Sequence, residues 1–520
     1  MNNEVDLLVI GAGASGACVA YEASKRGLKV ALLDAGDIGS GTSSRSTKLL
    51  HGGVRYLELA FKTLDISQLK LVREALLERA HWLERTPFLA HRLELALPTK
   101  NCLSKWYYRL GLGTYDALSG EKSIGKSRLL SKWQLSQALP SLRNDLNGGV
   151  AYNDGQFDDS RLNLLLALTA EKAGAVLRTQ CRVVELIHRE DGKLCGAISQ
   201  DFLGRQEKWQ AKAVVNATGI YVDNIRQLAD PNVTERILVS RGVHLVLQEN
   251  LCPNGIGLIV PSTDDGRVLF ILPFFGSTQV GTTDTPCNIN TATNPSRVEK
   301  EYLVDYVKRW FPTIGNPTIQ STWAGGRPLL KPAEKEILSS RLVREHEIET
   351  LPCGLISAMG GKWTTCRQIA FDTLKAVEVV LEKPLPTPRQ LAIIGADESP
   401  KKTSTYLLKQ QQELKGLLPK SQIQAKQLIH LQSNYGLKAL SIIASSPPEE
   451  RIPLSPKIPL CQAEIKHAIQ NEHALTTTDV LARRCRLAMV DLAEAKRLIP
   501  VVQDQLSANG LEATELDLKD

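Results

Sequence analysis

The first thirty-four residues constrain the fold more than any other part of the chain. Val5 to Ile10 is an apolar run of strand length, and Gly11-Ala12-Gly13-Ala14-Ser15-Gly16 follows it directly. Small residues, with Val19, Ala20 and Ala23 among them, predict a helix ending near Gly27. Lys29 to Leu33 then predicts a second strand, closed by Asp34. In such a unit the first glycine makes the turn, the second lets a pyrophosphate approach, and the third lets helix pack on sheet. The helix N-terminus faces the phosphates, and Asp34 is placed to accept from ribose hydroxyls. A bare Gly-x-Gly-x-x-Gly says little; with both strands and the acid in place it predicts a dinucleotide. Gly11, Gly13, Ser15, Gly16 and Asp34 are its expected contacts.

The next stretch, from Thr42 to Glu58, is too polar and too rich in glycine for a buried helix or an ordinary strand. Hydroxyls at Ser43, Ser44, Ser46 and Thr47 precede Lys48, His51, the pair Gly52-Gly53, and Arg55-Tyr56. Such a segment can hydrogen-bond a cofactor and aim an Arg and a His at an anionic ligand. Standing alone it would read as a surface loop; directly after a dinucleotide unit it reads as part of the site.

A chain of 520 residues predicts two or three domains. Its net charge of +7 is small for that length, and no long Lys/Arg tract suggests nucleic acid. The ten cysteines are scattered singly, without Cys-x-x-Cys spacing. That pattern predicts reduced thiols in the cytoplasm and neither a metal site nor an iron–sulfur cluster. Met1-Asn2-Asn3-Glu4 leads straight into a strand, so no signal peptide is expected. No apolar run approaches the roughly 18 residues that span a bilayer, so any membrane contact is expected to be peripheral. Residues 103–118, with Trp106, Tyr107 and Tyr108 between Lys105 and Arg109, form either an interfacial patch or a helix packed on the protein.

Further along, Leu69, Val72, Leu76, Ala80 and Leu83 recur at helical spacing, and Arg161 to Ala173 is an apolar helix stopped by Gly174. Ala213 to Ala217 is a buried strand running into Ala217-Thr218-Gly219. From about 238 to 330 the pattern changes to short alternating strands, an antiparallel sheet inserted into the first domain. Leu355 to Ala358 and Gly360-Gly361-Lys362-Trp363-Thr364-Thr365-Cys366 return to that domain. Beyond the linker Pro384 to Pro388, residues 400–520 have helical spacing interrupted near Pro447-Pro448 and Pro459. This tail carries no chemical motif. The expected division is residues 1–98, 155–237 and 331–385 for the cofactor domain, 99–154 and 238–330 for a substrate domain, and 386–520 for a helical domain.

These stretches together resemble the FAD-dependent glycerol-3-phosphate dehydrogenases. The resemblance rests on Thr42-Ser43-Ser44 through Glu58, Gly242-Val243-His244, Val280 to Asp284, Gly326-Arg327-Pro328-Leu329 and Gly360 to Thr365. In the tail it rests on Ala463 to Lys466 and Asp479 to Arg484. Val54, Leu59 and Trp323-Ala324 depart from the family pattern without removing a charged candidate. The resemblance implies an α/β plus α fold: a Rossmann-like FAD domain of the glutathione-reductase and amino-acid-oxidase type, an inserted antiparallel sheet, and a helical C-terminal cap. It implies oxidation of sn-glycerol 3-phosphate to dihydroxyacetone phosphate on non-covalent FAD, with electrons passed to a membrane quinone. The expected place is the cytoplasm or the inner face of the cytoplasmic membrane. An oxidase using oxygen and an amine oxidase of the glycine-oxidase type remain the alternatives.

Oxidising a secondary alcohol requires a held substrate, an acceptor for the hydroxyl proton, and compensation for charge on the reduced cofactor. A guanidinium meets two phosphate oxygens with two N–H groups. Arg55, Arg327 and Lys362 are the cations in glycine-flanked motifs, and the resemblance implies that they belong at the active site, with Tyr56 on the substrate. His244, with a near-neutral pKa, is the expected proton acceptor. By the same resemblance Thr42, Ser43, Ser44, Thr47, Leu49, His51 and Gly52 contact the cofactor. So do Val183, Ala217, Gly219, Gly326, Gly361, Lys362 and Thr364, with His51 orienting the ring.

Overall fold

The computed structural model describes residues 3–53, 66–261, 263–331 and 346–518. Two sheets carry the site between them. In the first, Asn3–Ile10 runs parallel between Val30–Leu33 and Gln206–Asn216, with Val176–Arg178 outside one and Leu355–Gly360 outside the other. The last four residues of Asn3–Ile10 are all buried, because helices cover one face and a second apolar cluster covers the other. Strands buried on both faces read as unbroken apolar runs rather than alternation. Helix Ala14–Lys25 lies against Asp159–Lys172 and Cys366–Val380, through small residues such as Ala17, Ala20 and Ala370. A Cβ on Gly16 would sit 1.8 Å from the carbonyl oxygen of Gly11. Backbone passes over backbone there, and no larger residue allows it.

The second sheet has ten strands and is almost wholly antiparallel. At one side of its middle, Ile237–Leu247 pairs with Ile319–Leu330 along nearly its whole length and with Ser277–Gly281 on its other edge. Leu269–Phe274 and Ile256–Val260 follow, and the latter pairs parallel with Ala90–Pro98. Ala90–Pro98 pairs in turn with Gly149–Phe157, so this sheet also draws on chain before residue 99. Gly149–Phe157 runs across the expected boundary at 154 and 155 without a break. Ala90–Pro98, inside the expected cofactor domain of residues 1–98, thus belongs to the second sheet.

The C-terminal region is helical, as the tail's spacing predicts. Helix Ala439–Ala444 stops before Pro447, and the next long helix, Gln462–Asn471, starts after Pro459. Its core continues into the second sheet through Val246, Phe274 and Trp323. It also grips helix Asp159–Lys172, where buried Arg161 donates to both carboxylate oxygens of Glu472 at 2.7 and 2.9 Å.

Candidate active site

A cleft of about 1610 Å³ runs between the two sheets. Its first end is the glycine turn. Gly11 has φ +102°, and a Cβ there would lie 2.7 Å from the carbonyl oxygen of Ala217. The N-cap residue of helix Ala14–Lys25, Gly13, offers no side chain to its own helix, and no acid stands in the first turn. The positive end of its dipole is therefore left to a ligand's phosphates. Ser43 Oγ accepts from the N–H of Ala14 at 2.9 Å, and a Cβ on Gly13 would meet that oxygen at 3.1 Å. Asp34 accepts from the N–H of Ala12 at 2.5 Å and of Gly36 at 2.8 Å. Burial raises its pKa while these two bonds oppose the rise. A long cleft with a helix N-terminus free of acids, a bare glycine turn and a fixed acid fits a dinucleotide such as FAD.

Most residues expected at the site lie on this cleft's wall. Gly11, Gly13, Ser15 and Asp34 line it with Thr42, Ser43, Thr47, Leu49 and His51. Val183, Ala217 and Gly219 line one flank, and Gly361, Lys362 and Thr364 another. His244 and Arg327 stand at the far end. Four expected contacts are off the wall. Gly16 packs helix on turn, and a Cβ on Gly52 would strike the Tyr115 hydroxyl at 2.3 Å. Ser44 is buried, and its carbonyl accepts from Lys48 at 3.2 Å and Arg486 at 2.8 Å. Gly326 faces Ala292 and Val239, while its carbonyl accepts from Thr42. Arg55 and Tyr56 lie outside the described residues.

At the far end the walls are side chains. His51 Nδ1 is 2.6 Å from Asp154 Oδ2. Asp154 is wholly buried in strand Gly149–Phe157 and also accepts from Arg79 at 2.8 Å and the Tyr115 hydroxyl at 2.9 Å. Burial alone would raise its pKa; the charges of His51 and Arg79 win and hold it below the usual carboxylate range. His244, 2% exposed, has Nε2 3.0 Å from Thr47 Oγ1 and its ring stacked on Trp323 at 5.4 Å. Burial, then the nearby charges of Lys48 and Arg327, push its pKa well below the ordinary value. Arg327 donates to the Thr283 carbonyl at 2.9 Å and to Thr282 Oγ1 at 2.8 Å, with Asp284 at 3.6 Å. These bonds aim a guanidinium along the cleft.

Residues 6–367 match the family model described as FAD dependent oxidoreductase, and residues 387–510 match the C-terminal domain of alpha-glycerophosphate oxidase. A probable mitochondrial glycerol-3-phosphate dehydrogenase of Caenorhabditis elegans is 38% identical over 96% of this chain and 70% of its own length. The human mitochondrial glycerol-3-phosphate dehydrogenase is 36% identical over 96% of this chain and 69% of its own. The chain belongs to the FAD-dependent glycerol-3-phosphate dehydrogenases. The solved glycerol-3-phosphate dehydrogenase of Bacillus halodurans, complexed with FAD, superposes with a TM-score of 0.76 at 26% identity. It covers 97% of this chain and 91% of that one.

In this member of the dehydrogenase family, sequence reasoning missed the groups one layer behind the wall. Asp154 stands in sequence only as an acid between Asn153 and Gly155, with nothing to mark its partner. The tail carries no chemical motif, yet Thr476 and Arg483 reach the cleft. Arg484 donates to Asp37 at 2.6 and 2.7 Å, and Arg486 reaches Asp159 at 3.2 Å. Three arginines within Arg483-Arg484-Cys485-Arg486, inside an apolar helical region, were the signal available.

Proposed function

We propose that this chain oxidises sn-glycerol 3-phosphate to dihydroxyacetone phosphate and delivers the electrons to a quinone in the membrane. When bound, FAD supplies the hydride acceptor. The observation that carries the reading is that one cleft, whose glycine turn fits a dinucleotide, is also lined by Arg327, Lys362, His51 and His244. Arg327, set by Thr282 and Thr283, takes the phosphate, and Lys362 adds a second cation near the substrate and cofactor. Arg55 and Tyr56 keep their sequence-based assignment to the substrate.

The geometry favours His51 over His244 for the hydroxyl proton. An anionic Asp154 at 2.6 Å holds the proton on Nδ1 and leaves Nε2 as acceptor. As a proton moves onto Nε2, the buried carboxylate stabilises the imidazolium. His244 is neutral, packed on Trp323 and tied to Thr47; its part is to position substrate.

Helix Cys102–Ser119 supports the membrane acceptor. Leu103, Trp106, Tyr107 and Leu110 recur at i, i+3, i+4 and i+7 and are exposed, Leu103 by 83% and Leu110 by 78%. Trp133, on the next α-helix of the chain, is exposed as well, and such exposed aromatic and aliphatic side chains are the composition of an interfacial anchor. Tyr108 of the same helix lines the cleft with Leu97, Val268 and Phe270, an apolar stretch suited to a quinone. Among the described residues no helix is long and apolar enough to cross a membrane. All ten cysteines are free thiols, in keeping with the cytoplasmic side. Exchanging Trp106 and Leu110 for Glu is expected to abolish flotation with anionic vesicles while turnover with a soluble dye persists. Retained flotation would remove this helix from the account.

The test of the reaction is anaerobic mixing of the purified protein with candidate substrates while the flavin band near about 450 nm is followed. Glycerol 3-phosphate should bleach it, and glycerol and glycine should not. Bleaching by glycine would point to an amine oxidase. Peroxide formed in step with turnover, without added quinone, would point to an oxidase.

A further inference from the structure

The tail's arginine cluster is a group of buried charge that the reaction does not use. Arg483 is 5% exposed, lines the cleft, and donates to Asp37 Oδ2 at 2.6 Å while also pairing with Asp479. Arg484 takes both oxygens of the same Asp37. Asp37 belongs to the loop that follows Asp34 and leans on the glycine turn: Gly39 N–H donates to the Ala12 carbonyl at 3.1 Å. The Ala12 N–H in turn donates to Asp34. The backbone of Glu472, whose carboxylate is held by Arg161, accepts from Arg484 at 2.6 Å. A residue more than four hundred positions away is thus the outer wall of the ribose-binding acid's loop.

Two guanidinium groups on one carboxylate are more than packing needs. Taking charges out of water is costly, so a buried pair is weak evidence of stability for its own sake. Here the pairs lock a loop of small residues, Ala35, Gly36, Gly39, Ser40 and Gly41, which line the cleft beside Asp34 and have little core of their own. One of the two arginines also presents its own side chain to the cleft, as does Thr476.

We propose that the C-terminal helical domain is a working part of the FAD site, with Arg483 holding the loop of Asp34 and Asp37 in the shape that binds the adenosine half of FAD. The proposal rests on the FAD reading of the cleft. Removing Arg483 loosens the ribose and adenine end while the riboflavin end keeps its contacts. Arg483 is a positioning residue here, and the effect is on binding rather than chemistry.

The test uses apoprotein of the full chain, with flavin removed, and measures equilibrium binding of FAD, FMN and ADP together with melting temperature. Arg483→Met is expected to weaken FAD and ADP by tenfold or more and leave FMN unchanged, and Arg483→Lys to recover part of the loss. The rise in melting temperature on saturating with FAD should shrink accordingly. His430→Leu breaks an equally buried pair of the same helical domain, with Glu464, away from the cleft and from Asp37. It should lower the melting temperature of the apoprotein yet leave all three affinities and the FAD-dependent rise as they were. Unchanged FAD and ADP binding in Arg483→Met overturns the proposal. So does an equal loss for FMN, which would mean general collapse. Failure of the unaltered protein to bind FAD would instead overturn the cofactor reading itself.

Discussion

At the glycine-turn end of the cleft the wall is backbone and small residues, stiffened from behind by Asp34 on Ala12 and Gly36 and by Asp37 under Arg483 and Arg484. At the other end His51, His244 and Arg327 form the wall themselves, and Asp154, Thr47 and Thr282 orient them one contact away. Binding a large flat cofactor needs close approach, which a Cβ obstructs. Moving a proton and gripping a phosphate need side chains with set protonation and direction. The two ends should therefore fail differently: one loses the cofactor, the other loses turnover and keeps its colour.

The largest break expected is Gly11→Val. Its Cβ would meet the Ala217 carbonyl at 2.7 Å, on a backbone at φ +102° that side chains avoid. The purified variant should be colourless, with a flavin-to-protein ratio near zero. Next comes His51→Gln, which keeps a polar side chain but removes the proton acceptor. Its kcat should fall by about 10²- to 10⁴-fold with the flavin ratio unchanged. Arg327→Ala should lower kcat/KM by about 10²-fold, mostly through KM, as expected for losing one partner of a hydrogen-bonded charge pair. It too should purify yellow. A colourless His51 or Arg327 variant would break the separation between the ends.

The smallest effect concerns pH. Burial would raise the pKa of Asp37, but the charges and hydrogen bonds of Arg484 and Arg483 hold it below the usual range. A depressed carboxylate contributes stability that is complete above the unfolded value of about 3.9 and is lost as pH falls through the folded value. Asp37→Asn should therefore be less stable than the unaltered protein near neutrality, because two guanidinium groups lose their buried partner. That gap should narrow as pH drops below about 4. Acid unfolding followed by circular dichroism at fixed ionic strength checks it; a gap that widens there would contradict the assignment of charge to Asp37.

Sequence showed the glycine-turn end well because its determinants are local: Gly11, Gly13, Gly16 and Asp34 fall within one βαβ unit, and their spacing alone specifies the turn. The other end was legible only as separate motifs. His244 and Arg327 sit on adjacent antiparallel strands, Ile237–Leu247 and Ile319–Leu330. Their arrival beside His51 depends on how the two sheets face each other. Periodicity cannot report a partner such as Asp154, which is 103 residues from His51. The same holds for Asp37, bound by arginines 446 and 447 residues away. It also explains why the expected cofactor domain, drawn to residue 98, takes in Ala90–Pro98, a strand of the second sheet. Alternation fixes which face of a strand is buried, and not the neighbour it finds.

The most direct measurement is a single turnover without oxygen: glycerol 3-phosphate mixed with the unaltered protein and with His51→Gln, each carrying a full complement of FAD. The flavin band of the unaltered protein should bleach in one fast phase, and that of the variant at least about a hundredfold more slowly at saturating substrate. Bleaching of the variant at the unaltered rate would take the proton away from the His51–Asp154 pair and contradict the chemical division of the cleft.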